Sequence, residues 1–349
     1  MNKIRQGMKG AAVVMAIAVA VTLAGCAGNS NVRPDWVTGT ASGYKPAQYL
    51  TGRGQADNQA DAQDRARADL AKVFQVQIDV QSQDVLAYEG GSSPMDAKGR
   101  TTTNVTRTIT TKTDQIVKGI QIPELWRDPQ TGTYYALAVL PRMQAANSLR
   151  QEIEARDAAT ERYIQASRGS DDLLLKIAAA DRALEAQVER SAYQKTLKIV
   201  DVSGVGVPSQ WSVATLRIDL DDLLHRMRIA AQAADSPLPG LQDDLAGGLS
   251  AVGFLVDTGK EPDYVLKASL DVTDPELLEG WYWMRGTLSV ALINPANGQI
   301  RGTRQWDVKV SARQAVITRQ RLRTQVRNIL KQDLRETLIG FAVNSGEAP

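Results

Sequence analysis

The chain has one cysteine, Cys26, and one histidine, His225, among its 349 residues. A single thiol excludes an internal disulfide, so the folded part must be held by its own core. The same scarcity excludes the His/Cys clusters of a zinc site. A Ser-His-Asp site would have to use His225, and no Gly-x-Ser-x-Gly elbow accompanies it. Charge of one sign is missing too: 41 Lys and Arg face 39 Asp and Glu, which gives no bias towards nucleic acid. No apolar run after residue 25 approaches the roughly 20 residues of a membrane span. Aromatic residues make up only 5% of the chain, so two tryptophans two residues apart, Trp281 and Trp283, stand out.

What is present begins at the N-terminus. Lys3, Arg5 and Lys9 precede an apolar run from Ala11 to Leu23, interrupted only by Thr22. A basic start, a short apolar stretch and small residues at its end form a secretory signal, expected over residues 1–25. The run closes in Leu23-Ala24-Gly25-Cys26. This resembles the lipobox of bacterial lipoproteins, in which a diacylglyceryl group goes onto the cysteine sulfur and cleavage follows just before it. The resemblance implies lipidation at Cys26, with palmitate-like chains holding the protein to a membrane; stable anchoring takes more than one acyl chain. By resemblance to the sorting rule of enteric lipoproteins, Ala27 in place of an aspartate implies the outer membrane rather than retention at the inner one. Losing Lys3, Arg5 and Lys9 from the 41 basic residues leaves 38 against 39 acidic ones, so the mature chain is near neutral.

The remaining length suits two modules. Residues 26–35 are expected to be a lipidated tether, polar from Asn29 to Pro34. The first module is expected over residues 36–142. Tyr49-Leu50-Thr51-Gly52-Arg53-Gly54 reads as a strand ending in a glycine turn, followed by a helix capped at Asp57. Ala62, Ala66, Leu70, Val73 and Phe74 line one narrow helical face that can pack close on a sheet. Val76 to Val80 and the threonine-rich stretch from Thr101 to Val117 read as strands, separated by a Gly/Ser/Pro-rich loop from Glu89 to Gly99. Asp128 to Gly132 is a turn and Tyr134 to Leu140 a returning strand.

Residues 143–200 are expected to be a helical hairpin, broken at Arg168-Gly169-Ser170. The second module is expected over residues 201–342, with a flexible tail at 343–349. Val213 to Leu220 reads as a strand and Asp221 to Ala233 as a helix. Ser236 to Gly240 is a loop, with a short helix through Leu241, Leu245 and Leu249 and a short strand at Phe254-Leu255-Val256 after it. Tyr264, Leu266, Ala268, Leu270 and Val272 alternate, as do Leu288, Val290 and Leu292, and then Trp306, Val308 and Val310. Both strands of that last pair turn even-numbered residues to the core, so paired positions must have an even sum. A three-residue loop, Ala296-Asn297-Gly298, meets that condition. A helix from Arg313 to Phe341 closes the chain, with Leu322, Val326, Ile329, Leu330, Leu334 and Phe341 facing inward. The fold class is thus α+β: two mixed sheet-and-helix modules joined by a long helical hairpin.

Trp36, the Tyr49–Gly54 run, Ala60, Ala62, Ala66, Ala68-Asp69-Leu70-Ala71 and Tyr134-Tyr135-Ala136-Leu137-Ala138-Val139-Leu140 are similar to the LPP-twenty family of surface lipoproteins over about residues 34–142. That family carries no catalytic pattern. One of its members is associated with the flagellum, which implies an envelope or motility role.

Several residues are candidate sites. Gly52-Arg53-Gly54 could cradle a phosphate, but lacks the third glycine of a dinucleotide fingerprint and is better explained as a strand-to-helix turn. The basic residues of the last helix, Arg313, Arg319, Arg321, Arg323, Arg327, Lys331 and Arg335, read first as a solvated face and second as a contact for envelope phosphates. Trp281, Trp283 and Arg285 fall on the polar face of their strand. Either the last helix or the hairpin covers them, or they form a partner contact. No cofactor and no metal are expected. The expected role is non-enzymatic: a lipid-anchored envelope lipoprotein acting structurally or in assembly through a protein partner. One alternative is a specific partner or regulator of a flagellar or secretion machine. The other is a carboxylate-based hydrolase of envelope glycans, with two acids across a cleft.

Overall fold

The computed structural model describes residues 32–72, 119–234, 238–256 and 261–343. The signal segment, Cys26, Val73 and Phe74, the strands expected at 76–80 and 101–117 and the tail after 343 lie outside them. Within them the architecture is α+β.

The first module is built on a three-stranded antiparallel sheet. Its strands are β1 (Tyr49–Ala56), β2 (Gln121–Arg127) and β3 (Tyr134–Pro141), with β3 in the centre. The central strand is covered on both faces. On one, Leu137 and Val139 pack under Trp36, carried by the short helix α1 (Asp35–Thr38). On the other, Ala136, Ala138 and Leu140 meet Ala62, Ala66 and Leu70 of helix α2 (59–72).

Gly52 and Gly54 are not a turn. They sit inside β1, opposite Ala138 and Ala136. A Cβ on Gly52 would lie 2.6 Å from the Ala66 carbonyl oxygen, and one on Gly54 would lie 2.1 Å from that of Ala62. Helix α2 therefore rests directly on the strand backbone, which only glycine permits. The helix cap is also one residue later than expected. Asn58, not Asp57, accepts from the Asp61 amide at 2.9 Å and donates to its carboxylate at 2.8 Å.

Two 28-residue helices follow, α3 (Arg142–Gly169) and α4 (Leu173–Val200). Asp172 caps α4 by accepting from the Leu174 and Leu175 amides. The pair is antiparallel and fastened by polar contacts. Gln187 donates to Thr160 at 2.9 Å and to Asp157 at 3.0 Å, while Arg156 is paired with Glu189. Apolar residues at the two ends of α4 go to different cores. Leu174, Ile177, Ala178 and Leu184 join the second module; Tyr193, Leu197 and Val200 join the first.

The second module departs from expectation at its start. Residues 213–226 form helix α5 (Val213–Arg226), and the strand comes after it, as β4 (Arg228–Ala233). Leu216, Leu220 and Leu224 are buried at helical spacing, while Ile218 is exposed. The alanine-rich β4 has helix-favouring composition, but Ile229 is fully buried and pairing with its neighbours overrides propensity. Beyond it come α6 (Leu241–Ala251), β5 (Leu255–Val256), β6 (Tyr264–Val272), β7 (Glu276–Leu278), β8 (Trp281–Ile293), β9 (Ile300–Ala312) and α7 (Ala315–Val343). The six strands form one mixed sheet. Strand β4 runs parallel to β5 and β6, and all pairings of β8 are antiparallel.

The β8–β9 register agrees with the even-sum argument: Leu288 faces Trp306 and Val290 faces Arg304. The loop itself is longer than expected. Asn294 donates to the Gln299 carbonyl, so four residues, 295–298, close the turn, with Gly298 at φ 69°. A register shift after Leu292 absorbs the extra residue. The core face of β8 and β9 packs on Leu322, Val326, Leu330, Leu334 and Phe341 of α7.

Candidate interaction surface

Strand alternation decides where the tryptophans go. Met284, Leu288, Val290 and Leu292 are buried against α7, so the odd residues of β8 face the other way. Trp281, Trp283 and Arg285 lie on that open face beside Lys267, Ser269, Asp271 and Asp307, all exposed. Neither α7 nor the helical hairpin is part of it among the described residues.

A tight hairpin positions Trp281. Glu279 and Gly280, at φ 51° and 78°, form the two-residue loop between β7 and β8. Two consecutive left-handed residues are what the natural twist of a hairpin favours. The turn places Leu278 opposite Trp281 and Glu276 opposite Trp283. Trp281 is 39% exposed, Leu278 41% and Leu277 57%. Arg313 lies 5.5 Å from the Trp281 ring centroid. Trp283 is half-buried and flanked by two cations, Arg285 at 5.6 Å and Lys309 at 5.1 Å. Each such contact contributes about 0.5–1 kcal/mol at an exposed site and stiffens the ring. The result is an aromatic platform rimmed by guanidinium and ammonium groups.

The basic residues of α7 are largely engaged within the fold. Arg323 and Arg327 both bind the buried carboxylate of Asp244 on α6, at 3.0 and 2.7 Å. Arg335 pairs with Asp181 on α4 at 3.0 Å, and Arg321 donates to the Ser311 carbonyl at 2.6 Å. Arg313 is on Trp281. Most of the basic residues of this stretch thus have partners within the fold among the described residues.

The other candidates resolve plainly. Arg53 donates its amide to Asp69 and its guanidinium to the Gly39 carbonyl, so the Gly-Arg-Gly run is internal packing. His225 is exposed on α5 with Nδ1 2.7 Å from the Asp221 carbonyl of its own helix. No group of three or more His, Cys, Asp or Glu that could hold a metal occurs among the described residues. Burial between like charges raises the Glu185 carboxyl above its ordinary range, with desolvation the largest cause and Asp181 and Glu189 adding to it. Burial also pushes the Tyr193 hydroxyl up to about 12. Both groups lie within helix packing.

Sequence reasoning missed β7 and its left-handed Glu279. The signal available was the Glu279-Gly280 pair between Leu277-Leu278 and the Trp281 strand, a hairpin pattern with glutamate in the usual place of asparagine.

Residues 34–141, about a third of the chain, match the model of the LPP20 lipoprotein family. No curated protein matches the chain. Among solved structures, a secreted protein of Helicobacter pylori is 14% identical, with 85% of this chain and 97% of that one covered at a TM-score of 0.38. A minor lipoprotein of Acinetobacter baumannii is 17% identical, covering 35% of this chain and 94% of its own, at a TM-score of 0.25. A PelC dodecamer subunit of Paraburkholderia phytofirmans is 16% identical over 32% of this chain and 91% of its own, at 0.23. The last two likenesses each cover about a third of this chain.

Proposed function

We propose that the chain is an outer-membrane lipoprotein, anchored through acyl chains on Cys26, that works by binding an envelope protein rather than by catalysis. The Trp281, Trp283 and Arg285 surface is the contact. The observation that carries the contact is the exposure of Trp281 beside Leu278 on a ladder-fixed, cation-braced strand. Trp and Arg together are the residues most enriched at binding hot spots, and a rigid ring loses little entropy when covered. The LPP20 family match over residues 34–141 and the Leu23–Cys26 run support the anchor.

The test is cross-linking of the tagged, full chain in intact cells, followed by affinity capture and mass spectrometry. One envelope protein or machine is expected to be enriched, and Trp281→Ala with Trp283→Ala is expected to reduce that enrichment at least tenfold. Recovery unchanged in the double variant would reject this surface. For the anchor, Cys26→Ser is expected to abolish fatty-acid labelling and membrane association; labelling that persists would reject it.

A further inference from the structure

Strand β9 is an edge strand of the larger sheet, and its outer edge is closed only in part. The Lys309 amide donates to the Gln325 side chain at 3.3 Å and the Ser311 carbonyl accepts from Arg321 at 2.6 Å. Both groups therefore point away from β8. The partner strand agrees: Arg285, which faces Lys309, has its backbone bonded to Thr273 on the opposite side. Backbone direction alternates along a strand, so Thr303, Gln305 and Asp307 also turn their N–H and C=O groups outward. Among the described residues these groups have no partner, and all three side chains are exposed.

The open stretch has defined ends. Side chains of α7 stand in for a neighbouring strand at 309 and 311. At the other end, the register shift between β8 and β9 beside Gly302 interrupts the outward alternation. Between these stops is a five-residue window centred on Gln305. On α7 itself, Arg321, Gln325, Asn328 and Gln332 line a groove of about 460 Å³.

We propose that this window pairs with the same window of a second copy, antiparallel, about a twofold axis through Gln305. In that register Gln305 faces Gln305 of the other copy, and each Thr303 faces the other's Asp307. All three positions point outward, so each opposed pair exchanges both of its backbone hydrogen bonds. The side chains match: amide against amide, and hydroxyl donor against carboxylate twice over. A twofold interface requires this self-complementarity. An unpaired edge without proline is also the usual template for joining a second chain. Five residues make a weak interface in solution. Chains confined to one membrane surface meet at much higher effective concentration.

The test is disulfide trapping of the full chain in intact cells. Gln305→Cys is expected to give a covalent dimer on a non-reducing gel, because Cα atoms in a hydrogen-bonded antiparallel pair lie about 5.5 Å apart, within disulfide range. The unaltered chain, whose one cysteine is Cys26, is the control. Thr303→Cys co-expressed with Asp307→Cys is expected to trap at least fivefold more than either alone. Gln305→Pro removes only an outward N–H, which an edge strand tolerates. In sedimentation of the detergent-solubilised chain it is expected to weaken self-association at least tenfold while the circular dichroism stays unchanged. Trapping no greater for Gln305→Cys than for Lys267→Cys, an exposed residue off the edge, would overturn the pairing. So would self-association that Gln305→Pro leaves intact.

Discussion

Arg190 on α4 donates to both carboxylate oxygens of Asp157 on α3, at 3.0 and 3.2 Å. The same guanidinium donates to the carbonyls of Val207 and Pro208, at 3.0 and 2.9 Å. One nearly buried cation thus holds the helix pair together and pins the segment that leads into the second module.

Replacing it should be costly. Arg190→Met would leave Asp157 without its cation and two carbonyls without donors. The expected loss is about 3–5 kcal/mol, the usual cost of breaking a buried pair from one side. Arg190→Lys should recover only part, since an ammonium cannot span the carboxylate and both carbonyls with fixed geometry. Urea unfolding of the three proteins measures this; a loss below about 1 kcal/mol for Arg190→Met would contradict it.

Glycine positions offer a paired test. A methyl at Gly54 would meet the backbone of Ala62 at 2.1 Å and of Ala66 at 2.3 Å. Backbone cannot move aside as a side-chain tip can, so Gly54→Ala should cost more than the about 1–3 kcal/mol of ordinary overpacking. Gly247, on the exposed side of α6, meets nothing within 4 Å. Gly247→Ala should stabilise by about 1 kcal/mol through helix propensity. Thermal melts of both variants should shift in opposite directions.

Glu185 gives a pH signature. Its carboxyl is raised in the folded state, chiefly by burial, with Asp181, Glu189 and Glu336 adding to the rise and Arg182 opposing it. A raised carboxylate pKa means that the folded state holds the proton more tightly than the unfolded chain. Stability from this group is therefore greatest below the unfolded value and falls as pH rises through the folded one. Glu185→Gln should melt higher than the parent at pH about 7, and the difference should vanish near pH 4, where the glutamate is largely protonated in both states. An equal gain at both pH values would show that charge is not the cause.

Glu279 is the one non-glycine residue with positive φ among those described. The left-handed region costs an L-residue about 1–2 kcal/mol, and asparagine tolerates it better. Glu279→Asn should raise stability by roughly 0.5–1 kcal/mol. Hydrogen exchange at the Trp281 amide should slow in step; faster exchange would mean that glutamate makes a contact there worth more than the strain.

The legible parts of the fold were those where one face is buried. Leu288, Val290, Leu292, Trp306 and Val308 alternate because α7 covers only one side of the sheet, and that pattern alone requires the even-sum β8–β9 register. The same parity placed Trp281, Trp283 and Arg285 on the opposite face. What burial does not pattern was lost. The first two turns of α5 carry Leu216, Ile218 and Leu220, a spacing that fits a strand as well as a helix over so short a stretch. The glycines of β1 read as a turn because close helix–strand contact leaves no mark beyond the glycines themselves. The cations flanking Trp283 come from two strands, Arg285 and Lys309, and only the register brings them together. The β9 window is less visible still, since it depends on backbone direction and on which α7 side chains reach the edge.

Helix α4 has a geometric consequence. Leu174 is fixed in one core and Leu197 in the other, on a single rod with about 1.5 Å rise and 100° of rotation per residue, roughly 35 Å apart. The modules are thereby indexed to each other in both spacing and azimuth. One residue inserted near Ala186 would swing one module by about 100° around the rod while leaving every strand intact. The tryptophan face would then point in a different direction from the first module, which makes the length of this helix, rather than any loop, the element that sets their relative orientation.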